Sequence, residues 1–264
     1  MATSNEKPMV TVNRPERFGE LLGLWTGSML APMLTFGSML RQARVFHPRG
    51  IYFRAKAEPA VDVDPQFADI ATGLSKGDAL MRLSAGLSKM GRGVLPDILG
   101  ISMRFNTKAN EDFAAREGTQ DLLMVTSRGV LTLPFAALQT NQNDFLANLY
   151  YGMGNYQLAD RTGMRLRLTP LPQTGSSGED RYDAIRQALA NDEVAFLLET
   201  SSLSEQSAWS PLVRIRLIEE VKIDDRKMTF WPFYTGQGIE PTGFIQHMRT
   251  VPYLSSQWAR LATG

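Results

Sequence analysis

The sequence predicts an α+β fold built on an antiparallel β-barrel of about eight strands with flanking helices. Segments that alternate apolar and polar residues come in runs instead of taking turns with helices, which argues against a doubly wound parallel sheet. Helical spacing of apolar residues is confined to the two ends of the chain and two internal stretches. No linker is long enough to force a division, and no repeat is visible, so residues 1–264 are expected to form one domain.

Residues 12–45 carry apolar side chains at helical spacing, and His47-Pro48-Arg49-Gly50 ends that helical region because proline and glycine both stop a helix. From Gly50 to Glu58, Ile51 and Phe53 alternate with Tyr52 and Arg54, the pattern of a strand. Two further strands are expected at Ala79–Leu87 and Ile98–Thr107, separated by a turn-rich stretch, and a fourth, short and apolar, at Gln120–Ser127. Phe135–Gly154 reads as helix, with Phe145, Leu149 and Tyr150 on one side. Met164–Leu171 alternates arginine with methionine and leucine, as a half-buried strand does. After a loop at 172–178, Asp180–Asn191 reads as a short helix. Val194–Thr200, Leu212–Lys222 and Lys227–Trp231 complete the strands, and Pro241 opens a last helical stretch that runs to about Leu261. The expected organisation is thus a helical segment at 1–45, a barrel with inserted helices at 46–235 and a terminal helical segment at 236–264.

Composition excludes several kinds of chemistry. Apolar residues are 43% of the chain, enough for a substantial core, and the net charge of +1 comes from interleaved acidic and basic residues, which gives no nucleic-acid arm. With no cysteine there are no disulfides, thiolate metal sites or thiol nucleophiles. Two histidines, His47 and His247, are too few for a histidine-rich zinc or iron site. Any reaction must therefore use one histidine, carboxylates, tyrosine or a bound cofactor. The polar Met1–Pro8 is not a secretory signal, and Leu21–Leu40 is broken by Gly27, Pro32 and Gly37, so it reads as a pair of short buried helices rather than a membrane span. A lipid-facing role is the alternative for that segment. A cytoplasmic protein is the expectation.

Arg249, Tyr253 and Arg260 are spaced four before and seven after the tyrosine, so one helical face holds all three. Two guanidinium groups beside a phenol lower its pKa, and a phenolate is a hard anionic ligand suited to ferric iron. Alone, this spacing is more often that of a solvated helix face. It is joined by Arg44-Val45-Phe46-His47-Pro48-Arg49-Gly50, by Arg82-Leu83-Ser84, by Ile101-Ser102-Met103-Arg104-Phe105, by Gly118 through Asp121-Leu122, and by Gly238-Ile239-Glu240-Pro241. In this order and over nearly the whole chain the set resembles the catalase superfamily; residues 130–235 match it poorly.

The resemblance implies a catalase-like barrel with haem b, its iron ligated by Tyr253. Arg249 would then hydrogen-bond the phenolate, and Arg44, Arg82 and Arg260 would pair with the haem propionates or the ligand. His47 would lie over the distal face as acid and base, with Ser84 orienting its ring. His247 reads as surface or interface. The family's distal asparagine is absent: its place falls at Val125 or Thr126, and Phe46 is bulkier than the family's usual residue. Both departures point away from fast hydrogen peroxide dismutation, towards peroxidase action on hydrogen peroxide or a fatty-acid hydroperoxide with a small-molecule reductant. Allene oxide synthase-like rearrangement and non-catalytic haem binding are the alternatives. A homodimer is expected, and no nucleic-acid partner.

Overall fold

The computed structural model describes residues 49–86, 97–129, 133–171, 180–191, 194–203, 208–225 and 228–243. In chain order the strands among them are β1 (Arg49–Pro59), β2 (Asp78–Ala85), β3 (Leu99–Thr107), β4 (Gln120–Val125), β5 (Tyr150–Gly152), β6 (Asn155–Leu158), β7 (Arg161–Leu171), β8 (Ala195–Ser202), β9 (Ser210–Val221) and β10 (Ile239–Thr242). Helices α1 (Ala68–Leu74), α2 (Leu133–Gln139) and α3 (Arg181–Asn191) lie between them. The antiparallel order β7-β5-β4-β3-β2-β1-β9-β8 closes through pairing of β7 with β8, giving an eight-stranded barrel. β6 continues the β7 hairpin, and β10 pairs with β6.

The barrel is filled by its own side chains. Phe53, Met81, Leu83, Ile101, Phe105, Leu168, Phe196 and Ile215 belong to one continuous buried cluster. Each large apolar side chain taken fully out of water contributes about 1.5–3 kcal/mol, so this interior is the main source of stability. α1 packs Ile70, Ala71 and Leu74 onto the same cluster. α3 begins where expected because the Asp180 carboxylate accepts from the backbone N–H groups of Tyr182 and Asp183 at 2.7 and 2.9 Å, an N-cap.

The expected strands at 50–58, 79–87, 98–107, 120–127, 164–171, 194–200 and 212–222 all form, with ends shifted by a few residues. The expected strand at Lys227–Trp231 does not: residues 228–231 carry no strand and cross the outer face of the barrel instead. Its place in the ring is taken by β5, inside the stretch read as helix at 135–154. Helix α2 stops at Gln139 because Asn141, Asp144 and Asn148 bond to nearby backbone: Asn141 N–H donates to Asn148 Oδ1 at 2.9 Å and Leu146 N–H to Asp144 Oδ1 at 2.8 Å. Short polar side chains offer the backbone such alternatives to helix. Pro241 lies in β10 rather than opening a helix, on an edge strand whose lack of an N–H is tolerated. The expected helices at 12–45, Leu21–Leu40 among them, and beyond Gly243 lie outside the described residues. No helix among the described residues is long and apolar enough to cross a membrane.

At the join between β4 and the segment before β10, two backbones touch. A Cβ on Gly236 would sit 2.3 Å from the Gly118 carbonyl carbon, while Gly236 N–H donates to Thr119 O at 2.9 Å. Because backbone meets backbone, neither side can yield by a rotamer change. Gly236→Ala is therefore expected to destabilise the fold by about 2–3 kcal/mol, read as a lower urea midpoint with an unchanged slope.

Candidate functional site

Residues directly opposite one another in an antiparallel pair point to the same face, and the register of β1 to β4 builds three rows on the outer face. One row is Gly50, Ser84, Gly100 and Val125; the next is Tyr52, Arg82, Ser102 and Leu123; the third is Arg54, Leu80, Arg104 and Asp121. This face is polar yet buried, because residues 222–225 and 228–235 lie across it. Met228 and Phe230 pack with Tyr52, Leu80 and Phe113 in a second apolar cluster outside the barrel. The ring of Phe230 stacks on that of Tyr52 at 6.5 Å between centroids.

The covering segment is clamped by a buried ion pair. Arg104 Nε donates to Asp121 Oδ1 at 2.8 Å and Nη2 to Oδ2 at 2.7 Å, a bidentate contact with both side chains at most 3% exposed. Arg104 Nη1 donates to Phe113 O at 3.2 Å, and Nη2 also bonds Thr229 O. Asp121 Oδ2 accepts from Trp231 N–H at 2.7 Å. The guanidinium lies between the rings of Phe230 and Tyr234, at 5.3 and 5.7 Å. Burial pushes the Asp121 carboxyl up despite Arg104; burial also disfavours the Arg104 cation, but Asp121 outweighs this and raises it. Both Asp121 oxygens accept hydrogen bonds, so the two side chains stand as an ion pair.

One row away, Arg82 is 1% exposed and pairs with Asp225 through Nε at 3.0 Å and Nη2 at 3.4 Å. The Tyr52 hydroxyl donates to the same carboxylate oxygen, and Arg82 lies 5.6 Å from the Tyr52 ring centre. Gly50 makes this seat: a Cβ there would stand 2.7 Å from the Arg82 guanidinium carbon. Ser84 is buried and donates to Gly100 O at 3.2 Å. Beside the pair opens a cleft of about 380 Å³, lined by Gly50–Tyr52 and Glu220–Asp224, where β1 and the chain leaving β9 part.

The structure thus brings Arg82 and Ser84 onto one face, and places Gly50, three residues past His47, opposite Ser84. Arg44, His47, Arg249, Tyr253 and Arg260, with Phe46 and His247, lie outside the described residues. Val125 stands in the Ser84 row, whereas Thr126 Oγ1 accepts from Leu99 N–H at 3.2 Å and bonds Thr140 at 2.7 Å. Sequence reasoning missed Asp225 and Tyr52: Asp225 lies 143 residues from Arg82, in a segment with no periodicity. Arg104 and Asp121 stood in two separate motifs, and the register alone pairs them.

No family model matches the chain, and no curated protein matches its sequence. Solved structures do. A fungal catalase matches with TM-score 0.56 and 13% identity over 83% of this chain and 60% of that one. Catalase A from Saccharomyces cerevisiae matches with TM-score 0.53 and 12% identity over 83% and 61%. A bacterial catalase matches with TM-score 0.59 and 9% identity over 97% and 64%. The chain therefore has the catalase-like barrel fold. It spans 60–64% of the length of these three catalases.

Asp121→Asn leaves Arg104 buried against a neutral amide. Breaking a buried pair from one side costs about 3–5 kcal/mol, so this variant should unfold at much lower urea concentration, and the Trp231 fluorescence change should precede loss of the β-sheet circular dichroism signal.

Proposed function

We propose that this chain is a haem-dependent oxidoreductase that activates hydrogen peroxide or an organic hydroperoxide. The observation that carries the reading is the outer-face register: Ser84 and Arg82 on one strand face, with Gly50, three residues after His47 in the sequence, opposite Ser84. The described residues fit the group in one specific respect. The absent Gly50 side chain leaves a seat in which a buried guanidinium is held for a carboxylate, now that of Asp225. Such a fork suits a haem propionate equally.

On this reading Tyr253 ligates the iron as phenolate, Arg249 hydrogen-bonds that phenolate, and Arg44, Arg82 and Arg260 pair with the propionates. Haem, when bound, supplies the redox chemistry. The protein supplies position and protons. His47 takes the proton from one peroxide oxygen and returns it to the other, as base and then acid. Ser84 orients the imidazole, and the covering segment keeps bulk water from the row it lies on. Val125, in the Ser84 row, gives the site an apolar end. That favours an organic hydroperoxide over hydrogen peroxide, with a small-molecule reductant as the second substrate.

The test is an absorption spectrum of protein from haem-supplemented cells, followed by each peroxide in turn. The wild type should show a high-spin ferric Soret band, and cumene hydroperoxide should be consumed faster than hydrogen peroxide. Tyr253→Phe should lose most of the haem, whereas His47→Ala should keep it and react at least a hundredfold more slowly. Full haem and an unchanged spectrum in Tyr253→Phe would remove the ligand assignment. Product formation without use of reductant would move the reading to hydroperoxide rearrangement.

A further inference from the structure

We propose that the cluster of Arg128, Tyr151, Arg165 and Trp209 binds the carboxylate end of an organic hydroperoxide, an amphiphile with an apolar body and one anionic group. Only the reacting end of that ligand rests on the haem reading above. The row that holds Gly50, Ser84, Gly100 and Val125 does not stop at β4. Tyr151 of β5 stands opposite Val125, Arg167 of β7 opposite Tyr151, and Glu199 of β8 opposite Arg167. Side chains opposite one another share a face. Ser84 and Tyr151 therefore lie on one outer face three strands apart, which is about 15 Å at the usual strand spacing. Val125, the apolar end of the site, leads onto the ring of Tyr151.

Past Tyr151 the face is built of rings and guanidinium groups. The ring of Trp209, just before β9, meets that of Tyr151 edge-on at 6.3 Å between centroids. Arg167 lies 4.3 Å from the Trp209 ring centre and pairs with Glu199 through Nε at 2.8 Å and Nη2 at 2.7 Å. The Thr169 hydroxyl donates to the same carboxylate. These contacts hold the Trp209 ring in place and neutralise Arg167. Arg165 and Arg128 stand differently. Arg165 lies 5.9 Å from the Trp209 ring centre and Arg128 5.7 Å from that of Tyr151, and neither has a carboxylate partner among the described residues. A guanidinium laid on a ring is held in place by the ring face, and its N–H donors remain for an anion. Trp209 is partly exposed and Arg128 exposed, so a ligand in solution reaches both. An apolar body covers the rings, and its carboxylate takes charge-assisted hydrogen bonds from Arg165 or Arg128. A hydroperoxide without a carboxylate gains only the ring contact, so the cluster selects for the anion.

The experiment uses the full chain as wild type, Arg128→Gln/Arg165→Gln, Arg128→Lys/Arg165→Lys and Trp209→Phe, each checked for an intact β-sheet circular dichroism signal. Octanoate and 1-octanol are titrated into protein as purified, without peroxide, and binding is read by tryptophan fluorescence and by calorimetry. Wild type should bind octanoate about tenfold tighter than 1-octanol, the equivalent of one charge-assisted hydrogen bond. The glutamine pair should lose that preference, and the lysine pair, which keeps both charges, should retain most of it. Trp209→Phe should lose the fluorescence change and bind both probes more weakly by calorimetry. In the haem-loaded enzyme, the kcat/KM ratio of a hydroperoxy fatty acid to its methyl ester should fall about tenfold in the glutamine pair, through KM. Equal binding of octanoate and 1-octanol by wild type, or wild-type octanoate affinity in the glutamine pair, overturns the carboxylate site. Charge-dependent octanoate binding with an unchanged kcat/KM ratio overturns its assignment to the hydroperoxide. Charge-dependent octanoate binding by a chain that takes up no haem supports the carboxylate site and overturns the haem reading instead.

Discussion

A fully buried ion pair, Arg104 with Asp121, is the contact on which the outer face of this barrel depends. It joins neighbouring strands β3 and β4 and, through Trp231 N–H, Thr229 O and Phe113 O, ties two irregular segments to them. An ion pair costs several kcal/mol per charge to dehydrate, and it is retained only when its remaining hydrogen-bonding positions are filled. Here backbone groups of the covering segment fill them. The segment and the pair thus support one another, and Met228 and Phe230 of the same segment pack with Tyr52, Leu80 and Phe113 beside them.

This arrangement explains where chemistry can reside. Among the described residues, the interior of the barrel is packed with leucine, methionine and phenylalanine. The polar side chains of β1 to β4 instead face outward, into a layer between the barrel and the chain that crosses it. Water is scarce there, and charges act on one another more strongly than at an open surface. Arg82 and Asp225, and Arg104 and Asp121, are adjacent examples of one design. They differ in that the second pair is sealed on both sides, while the first borders a cleft and has one partner on an irregular segment.

Seven of the strands were legible because their alternation is strong and local. In β7 the pairs Arg165–Leu166 and Arg167–Leu168 show it directly, with arginines partly exposed and leucines buried. β5 was illegible for the opposite reason. It is three residues long, buried on both faces, and preceded by asparagine and aspartate turns that no periodicity records. The false strand at Lys227–Trp231 has an apolar run, but its apolar side chains serve the outer cluster and its polar backbone serves Arg104 and Asp121. An apolar run says that a segment is buried, not which hydrogen-bond partners its backbone finds.

By itself, the sequence determined that the chain is an antiparallel barrel with a resemblance to catalases, that Arg82 and Ser84 share a strand face, and that no thiol chemistry is possible. Those conclusions follow from spacing along one strand and from composition, which are local. Only the tertiary structure decided that Val125 rather than Thr126 stands in the Ser84 row, that Gly50 gives up its side chain to seat Arg82, and that Asp225 is the carboxylate that Arg82 holds. Each of these depends on strand register or on contact between residues far apart in the chain. A shift of one residue in register would turn every side chain of a strand to the other face, so no reading of a single strand could have supplied them.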